Sequence, residues 1–133
     1  MLDFDALCAE ARARGGEVSF RKLLRSLADN RPVVHATCFV DAATRPSTRQ
    51  ALLASGFAVV NKDDRTAEVL AEQALGLAAR VDALVLAPAS PVAGHLLDQL
   101  VATGIRLEAA SFDGTAPSGT EARRLGRECM FIP

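Results

Sequence analysis

The sequence predicts a three-layer α/β/α domain built on a mostly parallel sheet of five or six strands. Three observations carry this prediction. Short apolar runs of strand length alternate with helix-period stretches through most of the chain, which specifies a parallel sheet covered by helices on both faces. Residues 33–40, Val-Val-His-Ala-Thr-Cys-Phe-Val, are β-branched and nearly continuous in apolarity, as a strand buried on both faces should be. The chain has 133 residues, half of them apolar, enough for one domain (1–133) with a sizeable core.

Met1-Leu2-Asp3-Phe4 reads as the end of a strand whose beginning is missing. Only two residues precede Asp3, whereas an ordinary strand has roughly five or six. Leu7, Cys8 and Ala11 then recur at helical spacing over 5–14, and Gly15-Gly16 stops that helix. Ser19 is expected to cap a second helix with Phe20, Leu23, Leu24 and Leu27 on one stripe. Asn30-Arg31-Pro32 breaks it and leads into the 33–40 strand.

Pro46-Ser47 opens a helix with Leu52 and Leu53 on one face, closed by Gly56, and residues 57–60 are the next strand. A charged loop, 61–65, precedes a long Ala/Leu-rich helix over 66–80, and 82–87 is another buried strand. The helix after it ends at Thr103-Gly104, where glycine supplies a left-handed cap. Residues 106–112 read as a strand, 114–119 as a loop, 121–126 as a short helix and 129–132 as a last strand.

Composition narrows the function. The formal net charge is −1, which argues against strong non-specific binding to nucleic acid or membrane. No apolar run approaches the roughly 18 residues that span a bilayer, and the acidic start at Asp3 and Asp5 is no secretory signal. Cys8, Cys38 and Cys129 have neither zinc nor redox spacing and are read as reduced thiols of a cytoplasmic protein. His35 and His95 have no partner at ligand spacing and are read as structural.

Several constellations have two readings. Asp3 and Asp5, at the carboxyl end of the first strand, are placed either to hold Mg²⁺ or to cap the following helix. Asp63, Asp64, Glu68 and Glu72 surround the start of the long helix, where acids complement the helix dipole or converge on a cation. Arg21, Lys22 and Arg25, with Arg12 and Arg14 nearby, form the densest basic region, and Arg123, Arg124 and Arg127 a smaller one. Both are solvated faces or phosphate contacts. In an open α/β sheet ligands bind outside the carboxyl ends of the strands. The loop after 82–87, Pro88-Ala89-Ser90-Pro91-Val92-Ala93, lies at that edge without a single Asp, Glu, Lys, Arg or Cys.

The chain resembles the NYN domains, the LabA-like (DUF88) branch of the PIN-like ribonuclease superfamily. Leu2-Asp3-Phe4-Asp5-Ala6-Leu7 is similar to the opening apolar-Asp-x-x-Asn-Leu motif. Residues 51–60, Ala-Leu-Leu-Ala-Ser-Gly-Phe-Ala-Val-Val, resemble the family's helix, Gly, Phe and strand. Thr66-Ala67-Glu68-Val69-Leu70 stands where the family has its second acidic motif, and residues 84–93 where it has a Ser-Gly-Asp-Ser-Asp-Phe loop. Residues 100–107 are similar to the Leu-x-x-x-Gly-x-x-Val sequel, with Leu107 for Val, and residues 129–132 to the closing strand.

The resemblance implies a Rossmann-like sheet of order 3-2-1-4-5 and RNA cleavage with Mg²⁺ or Mn²⁺ held by aspartates. Asp3 matches the first family aspartate and Glu68 the second acidic position. The expected Asn is Ala6, a later Asp falls near Gln73 or Ala74, and the loop aspartates fall on Ser90 and Val92. Only Asp3 and Glu68 remain, and a hard-cation site depends on ligand charge and number. The expectation is a catalytically degenerate domain without a cofactor, a binding or regulatory module whose partner is a protein, a second copy or RNA through Arg21, Lys22 and Arg25. The rival is a weak Mg²⁺- or Mn²⁺-dependent ribonuclease using Asp3, Asp5, Asp64 and Glu68.

Overall fold

The computed structural model describes residues 1–87, 94–117 and 119–131. Its elements run β1 (Leu2–Asp3), α1 (Phe4–Ala13), β2 (Glu17–Val18), α2 (Phe20–Ala28), β3 (Thr37–Val40), α3 (Pro46–Ala54) and β4 (Ala58–Asn61). They continue with α4 (Thr66–Ala78), β5 (Ala83–Leu86), α5 (Gly94–Ala102), β6 (Arg106–Ser111), β7 (Glu121–Arg124), a 3₁₀ turn (Arg127–Cys129) and β8 (Met130–Phe131).

β1, β3 and β4 pair in parallel, and so do β5, β6 and β7. Leu2 bridges Ala87 in parallel and joins the two halves. The Asp3 N–H donates to the Ala87 carbonyl at 2.9 Å, and the Ala87 N–H to the Met1 carbonyl at 3.0 Å. The resulting order, β4-β3-β1-β5-β6-β7, is that of a doubly wound Rossmann-like sheet and contains the expected 3-2-1-4-5 arrangement.

Strand alternation sorts side chains into two cores, one on each face. Leu84, Leu86, Leu107 and Ala109 pack with Ala74 of α4 and Leu97 and Leu100 of α5. Ala87, Ala110 and Phe112 turn the other way, toward Leu7 and Ala11 of α1 and Leu23 and Leu27 of α2. Burying a leucine or phenylalanine in such a core contributes about 1.5–3 kcal/mol.

Local signals explain most element starts and stops. Asp3 is the N-cap of α1, its carboxylate accepting the Ala6 N–H at 3.2 Å, and Gly15 takes a left-handed φ of 80° just beyond the helix. Pro46 starts α3, and Gly104, at φ 81°, follows α5.

Tertiary contacts overrule the sequence pattern in several places. Residues 121–124 form strand β7 instead of a helix, because they pair in register with β6 from Glu108↔Glu121 to Ser111↔Arg124. The strand predicted over 33–40 begins only at Thr37. Val33 and Val34 are 50% and 65% exposed, and His35 is exposed where a buried strand residue was expected. Ser19 occupies the N-cap position of α2 but makes no side-chain capping bond. On α3, Leu52 is buried while Leu53 is half exposed, so the two do not share a face. The predicted terminal strand is reduced to β8, which pairs antiparallel with β2; both are only two residues long. Cys38 and Cys129 are buried and Cys8 is half-buried, all as free thiols. Burial pushes Cys8 up to about 11 and Cys38 to about 12, so neither is a thiolate at neutral pH.

Candidate functional site

Asp3 ends β1, Asp41 follows β3 and Lys62 follows β4, so three neighbouring strands deliver them to the carboxyl edge of the sheet. The first turn of α1 adds Asp5. Lys62 Nζ lies 3.0 Å from Asp3 Oδ1 and 2.9 Å from Asp5 Oδ2, one ammonium shared by two carboxylates. Asp5 Oδ2 also accepts the Asp41 N–H at 2.9 Å, while Asp3 Oδ1 serves α1 as its cap. The site is partly shielded: the side chains of Asp3, Lys62 and Asp5 are 20%, 29% and 39% exposed.

Burial works against the Lys62 charge, but the hydrogen bonds it donates to Asp5 and Asp3 outweigh burial and hold the amine above its ordinary pKa. An ammonium held charged is neither a general base nor a nucleophile. It acts as a fixed cation between two acids. The ammonium offsets one of the two negative charges and occupies the space between both carboxylates, and the residues present do not fit a divalent ion. Among the described residues no group of three or more His, Cys, Asp or Glu side chains could hold one.

The remaining predicted site residues lie elsewhere or outside the described residues. Glu68 is two-thirds exposed and pairs with Arg65 at 3.2 Å, one turn along α4, instead of joining Asp3. Asp64 and Glu72 are exposed. Ala74 is fully buried in the α4/α5 core, and Gln73 buries its amide oxygen with no hydrogen-bond partner among the described residues. Ser90 and Val92, with the rest of the 88–93 loop, lie outside the described residues, as do Ser118 and Ile132. Arg21, Lys22 and Arg25 are exposed along α2, and none of them is ion-paired among the described residues. Lys22 lies 5.7 Å above the ring of the exposed Phe131. Among the described residues no helix is long and apolar enough to cross a membrane.

Arg123 departs from its expected place on a solvated basic face. It reaches Glu108, a carboxylate only 3% exposed in the middle of β6, at 3.1 Å. Arg31 grips the same carboxylate with two bonds, of 2.7 and 3.0 Å, and Arg106 approaches to 3.5 Å. Arg123 also donates to the carbonyls of Ser26 and Leu27 at the end of α2. The Arg31 hydrogen bonds, working against burial, hold Glu108 below the usual carboxylate range. This cluster ties α2 and the start of the 31–36 segment to the second half of the sheet.

Sequence reasoning passed over Lys62 and Glu108. The signal for Lys62 was its position directly after a strand, at the edge where Asp3 was already expected. For Glu108 it was a lone acid inside an apolar strand, which burial obliges to find cations.

A cavity of about 360 Å³ opens at the opposite, amino end of the strands. Its lining includes residues 31–37 and 80–85 together with Met1, Leu2 and Phe57.

Fold and site together define a Rossmann-like α/β protein with a lysine-bridged acidic edge. A crystal structure of a protein of unknown function from Vibrio parahaemolyticus has the same fold, with a TM-score of 0.75 at 14% identity over 98% of this chain and 93% of that one. No protein-family model matches the chain, and no curated protein matches it.

Proposed function

We propose that this protein is a catalytically degenerate NYN/PIN-like domain, a binding module that contacts RNA without cutting it. The observation that carries the reading is Lys62, whose ammonium bridges Asp3 and Asp5 where the resemblance would put a metal. A divalent ion there would have to displace a lysine held by two charge-assisted bonds, with no further acid converging among the described residues. Glu68, the other remnant, is engaged by Arg65.

The surface for the partner is α2. Arg21, Lys22 and Arg25 present three cations on the exposed face of α2, with no ion-pair partner among the described residues, beside the exposed ring of Phe131. Phosphates bind such a stripe by releasing counterions, and an exposed aromatic offers a base a stacking face.

Calorimetry with Mn²⁺ tests the first claim. No saturable binding is expected at millimolar metal. Tight binding that disappears in Asp3→Asn, together with RNA cleavage abolished by that substitution and by chelator, would establish a ribonuclease and overturn the proposal. Single-stranded RNA titrated against the triple charge reversal at Arg21, Lys22 and Arg25 tests the second. Binding should weaken and lose most of its salt dependence, the slope falling by roughly 0.7 for each phosphate contact removed. Unchanged binding removes α2 as the contact surface.

A further inference from the structure

The sheet ends in two unlike strands. Its order leaves β4 and β7 as edges, each with one side unpaired among the described residues. An exposed edge is a template for another strand, and charged side chains are the usual guard against that. β7, Glu121-Ala122-Arg123-Arg124, is guarded: only Ala122 is uncharged, and Glu121 pairs with Arg106. β4, Ala58-Val59-Val60-Asn61, carries no charge at all. The uncharged stretch is longer than the strand. From Gln50, through the second half of α3, to Asn61 there is no Asp, Glu, Lys or Arg, in a chain that is 23% charged. Gln50, Leu53, Ala54, Ala58 and Asn61 are exposed within it. Depletion of charge at exposed positions is the compositional mark of a protein interface.

Backbone geometry says what fits. The Ala36 carbonyl accepts the Ala58 N–H at 2.8 Å, and the Val40 carbonyl accepts the Lys62 N–H at 2.7 Å. In a parallel ladder every second residue faces the neighbouring strand, so Ala58, Val60 and Lys62 turn their N–H and C=O groups to β3. Val59 and Asn61 turn theirs outward, where they meet no partner among the described residues. A second β4 laid antiparallel satisfies all of these groups. Val59 of one copy exchanges both bonds with Asn61 of the other, and the reverse pair does the same, about a two-fold axis at Val60.

This register is the one the strand allows. Centring on Val59 would call on the Phe57 N–H, which the Leu52 carbonyl already takes, and centring on Asn61 would call on Asp63, beyond the end of β4. Centring on Val60 also sets Lys62, Asp63 and Asp64 opposite Ala58, Phe57 and Gly56, so no like charges meet.

We propose that the β4 edge is the contact surface for a second copy of this chain, giving a two-fold dimer whose sheet runs through both molecules. β4 is short, so the dimer forms and dissociates with concentration. The proposal does not depend on RNA contact through α2.

Sedimentation from micromolar to millimolar concentration should show the mass rising from 14.0 kDa toward twice that value. Asn61→Pro deletes an outward N–H without touching the bonds to β3. It should leave a folded chain whose dimer dissociation constant is at least roughly tenfold higher. The non-hydrogen-bonded pair at the axis brings position 60 of each copy to about 4.5 Å between Cα atoms, within disulfide range. Under mild oxidation Val60→Cys should therefore cross-link at least roughly tenfold faster than Asn61→Cys, although position 61 is the more exposed. A mass that stays at 14.0 kDa at millimolar concentration would leave the edge to a strand of another protein and overturn the proposal. Equal dimerisation of Asn61→Pro, or equal cross-linking of the two cysteine variants, would put the contact on another surface and overturn it as well.

Discussion

Acetylating the amine of Met1 should make the protein's stability less dependent on pH between 8 and 6. The amine is buried beside Val85, and desolvation lowers it from 8.0 to about 6. Above pH 8 it is neutral in both folded and unfolded chains and costs nothing. Between the two values the unfolded chain binds a proton that the folded chain does not, so stability falls as pH falls. Below about 6 both forms are protonated and the loss is complete. Two units at about 1.4 kcal/mol each amount to about 3 kcal/mol. For a domain of this size that is roughly 10 °C in Tm. Acetylation turns the amine into an amide N–H that keeps the Val85 bond and cannot take a charge. Urea unfolding of both forms at pH 8.5, 7 and 5.5 measures the effect. The acetylated form should gain about 3 kcal/mol on the free form between the extremes. A gap that is constant with pH, or that widens as pH rises, refutes the buried amine.

Four further outcomes follow from the geometry. Glu108→Ala leaves Arg31 and Arg123 without their buried partner and should cost about 3–5 kcal/mol by denaturant unfolding. Glu108 is held below the carboxylate range, so its stabilisation is present above pH 4.5 and lost as pH falls through its folded value; Glu108→Gln should flatten that acid limb. Lys62→Ala frees the Asp3 and Asp5 carboxylates and should create weak Mn²⁺ binding that calorimetry does not detect in the parent; identical titrations would count against the lysine bridge. Leu52→Ala should cost about 2–5 kcal/mol while Leu53→Ala, on the exposed side of α3, stays within about 0.5 kcal/mol.

What the sequence revealed was whatever is encoded locally. The alternation of apolar runs and helices, the Pro46 start, the Gly56 and Gly104 stops and the Asp3 cap all depend on neighbours within a few residues, and each is present in the structure. The misread segments depend on distant partners. Residues 121–124 have helical composition, but Arg123 is drawn to Glu108, 15 positions back, and the segment extends to pair with β6. Residues 33–36 have strand composition, but among the described residues only Ala36 reaches a neighbouring strand, its carbonyl accepting the Ala58 N–H. β2 and β8 are too short to leave a periodic signal and exist only through each other. At the acidic edge the same division holds. Asp3 and Asp5 were legible from their place after an apolar run, whereas Lys62 reaches Asp3 across 59 positions, a contact that only the parallel pairing of β3 with β4 creates.

The way β8 returns to β2 has a consequence for how the protein is made. The α1/α2 core is built from both ends of the chain: Leu7 and Leu23 pack in one cluster with Phe112, Leu125, Cys129 and Met130. A ribosome delivers the first set more than a hundred residues before the last, so the amino-terminal helices emerge with their apolar faces uncovered. They can form turns and caps during synthesis, but they cannot close their core until Met130 has left the exit tunnel. The core therefore closes late, with the slow closure expected of contacts far apart in sequence. Until then, Leu7, Leu23 and Leu27 are apolar surface open to contact with other chains.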